Sequence, residues 1–245
     1  MNNKSQEMNL DDIVDSILDN VPQTESMTVR LPSLGKIYGL ENEFVTIRGM
    51  TFEDERALVK LKNKTQAVNL LISRCVEEDL DPRQLIPQDK IFIIIHIRAL
   101  SVGTNYDISI TCGNCEKVSN LGIDVLNTFN CDYPEAPIEG TVEVFLPTIK
   151  KTALVRRASS SDLESNQDAL YNRLWQYVKA IDGREETAVI MAVVNKLPIK
   201  DVHTIIDALS CEDISLNTEF IFECSECGHE EVTNLSLSND FFTMR

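Results

Sequence analysis

Apolar and polar residues alternate strictly in two places, and each run ends on a pair of cysteines. Tyr106-Asp-Ile-Ser-Ile-Thr111 leads into Cys112-Gly-Asn-Cys115, and Thr218-Glu-Phe-Ile-Phe-Glu223 leads into Cys224-Ser-Glu-Cys227. A period of two predicts half-buried strands. A second strand-like run follows each pair, Val118 to Val125 and Val232 to Leu237, and both contain Val-(Ser/Thr)-Asn-Leu. The expected elements are two β-hairpins with CxxC at the turn. The likeness extends upstream. Ile86-Pro87-Gln-Asp89 answers Leu197-Pro198-Ile-Lys-Asp201 with one residue of slack, and apolar helical patterns follow both. Further back, Val29-Arg-Leu31-Pro32 answers Val144-Phe-Leu146-Pro147, and Thr46-Ile47-Arg48-Gly49 answers Leu154-Val155-Arg156-Arg157. The offsets are 112 for the cysteines, 111 and 115 for the prolines and 108 for the arginines. Four matches in one order at nearly one offset predict a tandem duplication of a unit of roughly 110 residues.

Each unit carries a strand ending in Leu-Pro, a second strand, a helical region, a helix begun near proline, and the CxxC hairpin. In the first unit the helical region runs from Phe52 to about Glu78, with Leu58, Leu61, Val68, Leu71, Ile72 and Cys75 at helical spacing. In the second, Ser161-Asp-Leu-Glu164 fits a capping box, and Leu163, Leu170, Leu174, Trp175 and Val178 form the apolar face up to Asp182-Gly183. Thr187 to Leu197 makes another helix. The resulting division is residues 1–27 as an acidic N-terminal tail or short helix, 28–130 as the first unit, 131–140 as a linker with Pro134, Pro137 and Gly140, and 141–245 as the second unit. The tail carries six acids and one lysine beside Leu10, Ile13, Val14, Ile17 and Leu18, which share one helical face. It reads either as a solvated tail or as an amphipathic helix that docks on a partner. The fold class is α+β: a duplicated helical unit with short antiparallel strands, joined by a zinc-ribbon-like pair of hairpins.

Charge narrows the function. The 245 residues hold 39 acids against 23 bases, a net charge of −16, which argues against a general binder of nucleic acid or anionic membrane. No apolar run approaches 18 residues, and the longest candidate, Ile91 to Ile97, is interrupted by His96. A polar, acidic N-terminus predicts no signal peptide. The seven cysteines are then expected in a reducing cytoplasm, where paired cysteines read as metal ligands or redox centres.

Two residues between cysteines let both thiolates point to one side, with the amides of the turn facing the sulfurs. Structural zinc takes four ligands tetrahedrally, and the two turns supply Cys112, Cys115, Cys224 and Cys227. One structural Zn2+ per chain is therefore expected, held between knuckles 108 residues apart. A thioredoxin-like CxxC would open a helix, whereas strand-like sequence follows here. Cys75 and Cys211 read as core and Cys131 as an exposed linker residue. His96 and His203 read as packing histidines in similar places of the two duplicated helices, and His229 as a surface turn residue. Glu77-Glu78 and Glu185-Glu186 read as solvated helix ends, and Lys150-Lys151 with Arg156-Arg157 as a charged strand edge. Nucleotide-binding, metalloprotease and hydrolase motifs are missing, so catalytic residues are expected to be none.

Val29-Arg-Leu-Pro-Ser-Leu-Gly35-Lys-Ile-Tyr38 resembles the LPS-x-G-x-x-Y opening of the T4-like bacteriophage baseplate family, associated with the central hub of contractile tails. Val45-Thr-Ile-Arg48-Gly-Met-Thr51-Phe-Glu-Asp54-Glu55 resembles that family's strand and T-x-x-D-E helix start. The resemblance covers most of the chain from about residue 28, although the second unit lacks the Gly and Tyr of the opening motif. It implies a non-enzymatic hub component or hub assembly factor, found in the host cytoplasm during assembly and in the virion tail. Its partners would be other baseplate and hub proteins, with no nucleic acid and no membrane. The alternative is a zinc-ribbon regulator acting on nucleic acid or transcription machinery. Against it, Glu219, Glu223, Glu226, Glu230 and Glu231 surround the second knuckle and would repel phosphate.

Overall fold

The sequence motifs mark where chain direction changes. In the computed structural model, which describes residues 25–40, 43–61, 63–163, 167–209 and 214–234 with Val14, Ile17 and Phe241, β1 (Ser26–Arg30) stops at Leu31-Pro32. It pairs antiparallel with β2 (Phe44–Arg48). The Thr51 side chain and the Asp54 carboxylate cap each other's backbone and start α1 (Phe52–Val59). Asn63 caps α2 (Lys64–Cys75), and α3 (Pro87–Val102) starts on a proline whose missing N–H costs nothing at that position. Hairpin β3 (Asn105–Thr111) and β4 (Val118–Asp124) follows, then the short α4 (Val125–Thr128) and β5 (Asn130–Asp132). The second half holds the antiparallel sheet β6 (Thr141–Leu146), β7 (Lys151–Arg156) and β8 (Val178–Ile181). Around it lie α5 (Ser160–Leu163), α6 (Gln167–Tyr177), α7 (Thr187–Val194) and α8 (Ile199–Leu209). Strand β9 (Ser215–Asn217) pairs with β5, and hairpin β10 (Glu219–Glu223) and β11 (Glu230–Asn234) closes the described fold.

Two apolar cores form. One gathers Leu31, Ile47, Leu71, Ile72, Ile93 and Ile97 around α3. The other gathers Leu146, Ala153, Val155, Leu174, Ile205 and Leu209 around the three-stranded sheet. Ile86, Ile138 and Ile214 make a small third cluster with Ile37 and Tyr38. Phe241 returns to the first core, edge-on to Tyr106 at 5.1 Å and under the Arg98 guanidinium.

The same polar devices occur twice. Asp89, third residue of α3, accepts hydrogen bonds from Ser33 N (2.9 Å), Ser33 Oγ (2.5 Å) and Tyr38 Oη (2.6 Å). Asp201, third residue of α8, accepts from Thr148 N (2.8 Å) and Ile149 N (3.2 Å). Each aspartate pins the turn after a Leu-Pro strand. Arg48 donates to Gly49 O and to Asp54 at 2.7 Å, and Arg156 donates to Arg157 O and to Asp162 at 3.0 Å. The one-residue slack between the later prolines also resolves, because Ile86 and Pro198 both accept the first turn's N–H bonds and both aspartates stand three residues on.

Several expectations need correction. The helical region from Phe52 divides into two helices, α1 and α2, the second ending at Cys75. The second unit's capping residue is Ser159, not Ser161, because Ser159 N and Oγ both donate to Asp162 at 2.9 Å. The helix ends at Tyr177, and Val178 to Ile181 pairs with β7 as a strand. The cross-strand partners available there outweigh the helical pattern. The Val-(Ser/Thr)-Asn-Leu strings are two residues out of step, since β4 begins at Val118 and β11 at Glu230. Glu78 is no solvated end, since its carboxylate accepts Thr46 N at 2.9 Å and holds the edge of β2. Lys151 and Arg156 lie on the central strand of their sheet and pair with Asp182 and Asp162. His203 is exposed and stands two residues after Asp201, whereas His96 stands seven after Asp89, half-buried against Phe92. Cys75 is core, Cys131 is half-buried in β5, and Cys211 lies outside the described residues. Most of the N-terminal segment also lies outside them; Val14 and Ile17 are helical and exposed.

Candidate metal centre

The alternating strands fold as hairpins because one face of each has something to cover. Phe222, Cys112 and Cys224 are buried together, with Ile110, Leu121 and Phe220 packed alongside, so the two hairpins lean tip to tip. Both tips have one geometry. Cys112 N donates to Lys117 O and Glu116 N to Cys112 O, at 2.9 and 3.0 Å. Cys224 N donates to His229 O and Gly228 N to Cys224 O, both at 2.9 Å. The residue after each second cysteine is left-handed, Glu116 at φ 58° and Gly228 at φ 67°. That conformation turns the chain so that both sulfurs of a pair face the same side.

All four predicted ligands come together. Their sulfurs lie within 4.8 Å of one another, and two cross-hairpin pairs, Cys112–Cys227 and Cys115–Cys224, are each 3.7 Å apart. A disulfide would need about 2.05 Å. A tetrahedron with bonds of about 2.3 Å has edges of about 3.8 Å, which those two pairs match, so the cluster could hold one zinc-sized ion. Every position of such a tetrahedron is filled by protein, which suits a structural ion.

Donors surround the sulfurs. Asn114 N points at Cys112 Sγ at 3.4 Å and Asn114 Nδ2 at Cys227 Sγ at 3.7 Å. Ser119 Oγ lies 3.7 Å from Cys224 Sγ. The Glu226 N–H lowers the Cys224 thiol, and against desolvation the Cys227 N–H and Ser119 hydroxyl carry it down to about 6. Cys115 differs. The Lys117 N–H lowers it, but desolvation and the other three sulfurs push it up to about 12. Crowded thiols resist ionising together, and a divalent cation relieves that repulsion. Lys117 reaches Glu226 at 2.8 Å and ties the two tips on the outside. His229 stays out of the cluster, its Nε2 4.0 Å from Glu231. Asn114 and Ser119 escaped sequence reasoning, because nothing in their spacing separates a sulfur-facing polar residue from a solvated one.

The other motif residues have structural roles. Ser33 and Tyr38 of the opening motif converge on Asp89. Thr51 and Asp54 of the helix-start motif build the capping box, and Arg74 joins Arg48 on the Asp54 carboxylate at 2.5 Å. Burial alone would raise the Asp54 carboxyl; Arg48, the Thr51 N–H and Arg74 outweigh it and hold it well below the usual carboxylate range. Among the described residues no helix is long and apolar enough to cross a membrane.

No curated protein and no solved structure matches the chain. A family model does, described as T4 bacteriophage base plate protein, and it aligns with residues 23–243, a span that holds both halves of the fold and all four clustered cysteines. With nearly the whole sequence inside that match, the chain belongs to the T4 bacteriophage base plate protein family.

Proposed function

We propose that this chain is a non-enzymatic protein of the baseplate hub of a contractile tail, as a resident subunit or as a factor that assembles the hub. In this reading it is a tandem duplication, units 28–130 and 141–245 joined by residues 131–140, and one structural zinc on Cys112, Cys115, Cys224 and Cys227 clips the two units. The observation that carries the reading is the meeting of four thiols from two matching hairpins, all within 4.8 Å of one another. The repeated aspartate anchors and arginine–aspartate caps support the duplication. The buried acids support a scaffold, because Asp54, Asp89 and Asp201 are all engaged in holding backbone turns. A net charge of −16 suits a protein kept soluble until it meets a basic partner face. The same charge, with five glutamates about the second knuckle, disfavours a nucleic-acid regulator.

Two experiments test this. Removing the chain from the infecting phage should block tail assembly, and normal tails without it would refute the hub role. Quantitative mass spectrometry of purified particles should then separate the two forms of the role. A small fixed copy number means a resident subunit, and absence from particles with abundance in infected cells means an assembly factor.

A further inference from the structure

The two hairpins share their geometry but not their outward faces, and the first serves as an internal control for the second. On the first, Ser109 lies opposite Asn120, and the Ser109 hydroxyl donates to Asn120 Oδ1 at 2.8 Å. Asn105 Nδ2 likewise donates to Asp107 at 3.1 Å. At that central pair the face is polar and satisfied, as a sheet face in water should be, and its exposed apolar residue, Val118, sits nearer the tip opposite Thr111. On the second hairpin the positions that match Ser109 and Asn120, three before the first cysteine and five after the second, hold Ile221 and Val232. These two lie directly opposite each other and are 69% and 65% exposed. Below them Glu223 lies opposite Glu230, where like charges oppose pairing. Neither carboxylate has a partner among the described residues. Glu219, also exposed, closes the other end.

An apolar pair ringed by unpaired carboxylates, on a hairpin whose twin is polar at the same places, is a surface shaped for contact. From this we infer that the outward face of β10–β11 docks a partner protein whose own face has an apolar centre flanked by lysine or arginine. Charge selects that occupant. A second copy would bring the same glutamates and another net charge of −16. The chain's own N-terminal segment has apolar residues but six acids against one lysine. A basic-rimmed apolar face would cover Ile221 and Val232 and neutralise Glu219, Glu223 and Glu230 together. The inference rests on the hub reading for its setting, and it names the chemistry of the partner there.

The test uses the full chain in infected cells. A photo-reactive benzoylphenylalanine replaces Ile221 in one sample and Ser109 in another, and cross-linked peptides are mapped by mass spectrometry. The Ile221 probe should yield about tenfold more adduct than the Ser109 control, on an apolar peptide flanked by Lys or Arg in another tail protein. Equal yields, or adducts on a second copy, on the N-terminal segment or on an acidic peptide, overturn the inference. A second variant copies the first hairpin's pair, Ile221→Ser with Val232→Asn, and should fold normally. It should lower tail yield about tenfold or more, the usual effect of removing a central apolar anchor. Wild-type yield from a folded variant overturns the docking face. If only complete removal of the chain stops tail assembly, the hub role stands and this face is wrong; if tails form without the chain, the hub role itself fails.

Discussion

Replacing Cys112 and Cys115 together by serine should destabilise the half of the molecule that contains neither. The variant keeps Cys224 and Cys227, but two thiols cannot fill a tetrahedral site. The proposed zinc would join Cys115 to Cys224 across 108 intervening residues. Treated as a cross-link, closing a loop of about 100 residues lowers the unfolded chain's entropy, a stabilisation of roughly 4.7 kcal/mol. With a urea slope of about 3 kcal/mol per molar, losing it shifts the midpoint by about 1.5 M. Trp175 is the only tryptophan and packs against the second core, so its fluorescence reports the second unit alone. The assay is urea denaturation of zinc-loaded wild type and variant, followed by Trp175 emission. A midpoint within about 0.2 M of wild type would refute the shared clip, as would a variant that still binds zinc tightly.

Other consequences can be read from the same contacts. Asp54→Ala removes the N3 half of the capping box and two screened ion pairs and should cost roughly 2–3 kcal/mol by chemical denaturation. The Asp54 carboxyl is depressed on folding, so its stabilisation is present above an unfolded-state pKa of about 3.9 and lost as pH falls toward the folded value. Acid titration of Asp54→Asn should therefore show a shallower loss of stability below about pH 4 than wild type, and an identical slope would contradict the assignment. Gly49→Ala would set a Cβ 2.9 Å from the Leu100 carbonyl oxygen and should cost about 1–3 kcal/mol by thermal unfolding.

Local chemistry that repeats is what the sequence made readable. The four cysteines were legible because a CxxC after an alternating strand occurs twice, and the hairpins fold where the alternation predicts. The helix start at Thr51 was legible because an N-cap and its N3 acid sit in one short string. Its twin was misplaced by two residues, since Ser159, Ser160 and Ser161 can each read as a cap and only the Asp162 contact chooses. β8 was hidden because Val178 and Ile181 extend the apolar period of α6, and what makes them a strand is β7, far back in sequence. Asp89 and Asp201 were visible as part of the repeat but not as anchors, because their partners lie 56 and 53 residues away. The exposure of His203 was hidden for a related reason: apolar neighbours in sequence do not reveal which side of a helix a residue occupies.

The most direct test is zinc-edge X-ray absorption on the purified chain together with its metal content. One zinc per chain with four sulfur neighbours at about 2.3 Å is the predicted result. Nitrogen or oxygen in that shell, a disulfide between any of the four cysteines, or two metals per chain would contradict the clip that joins the two units.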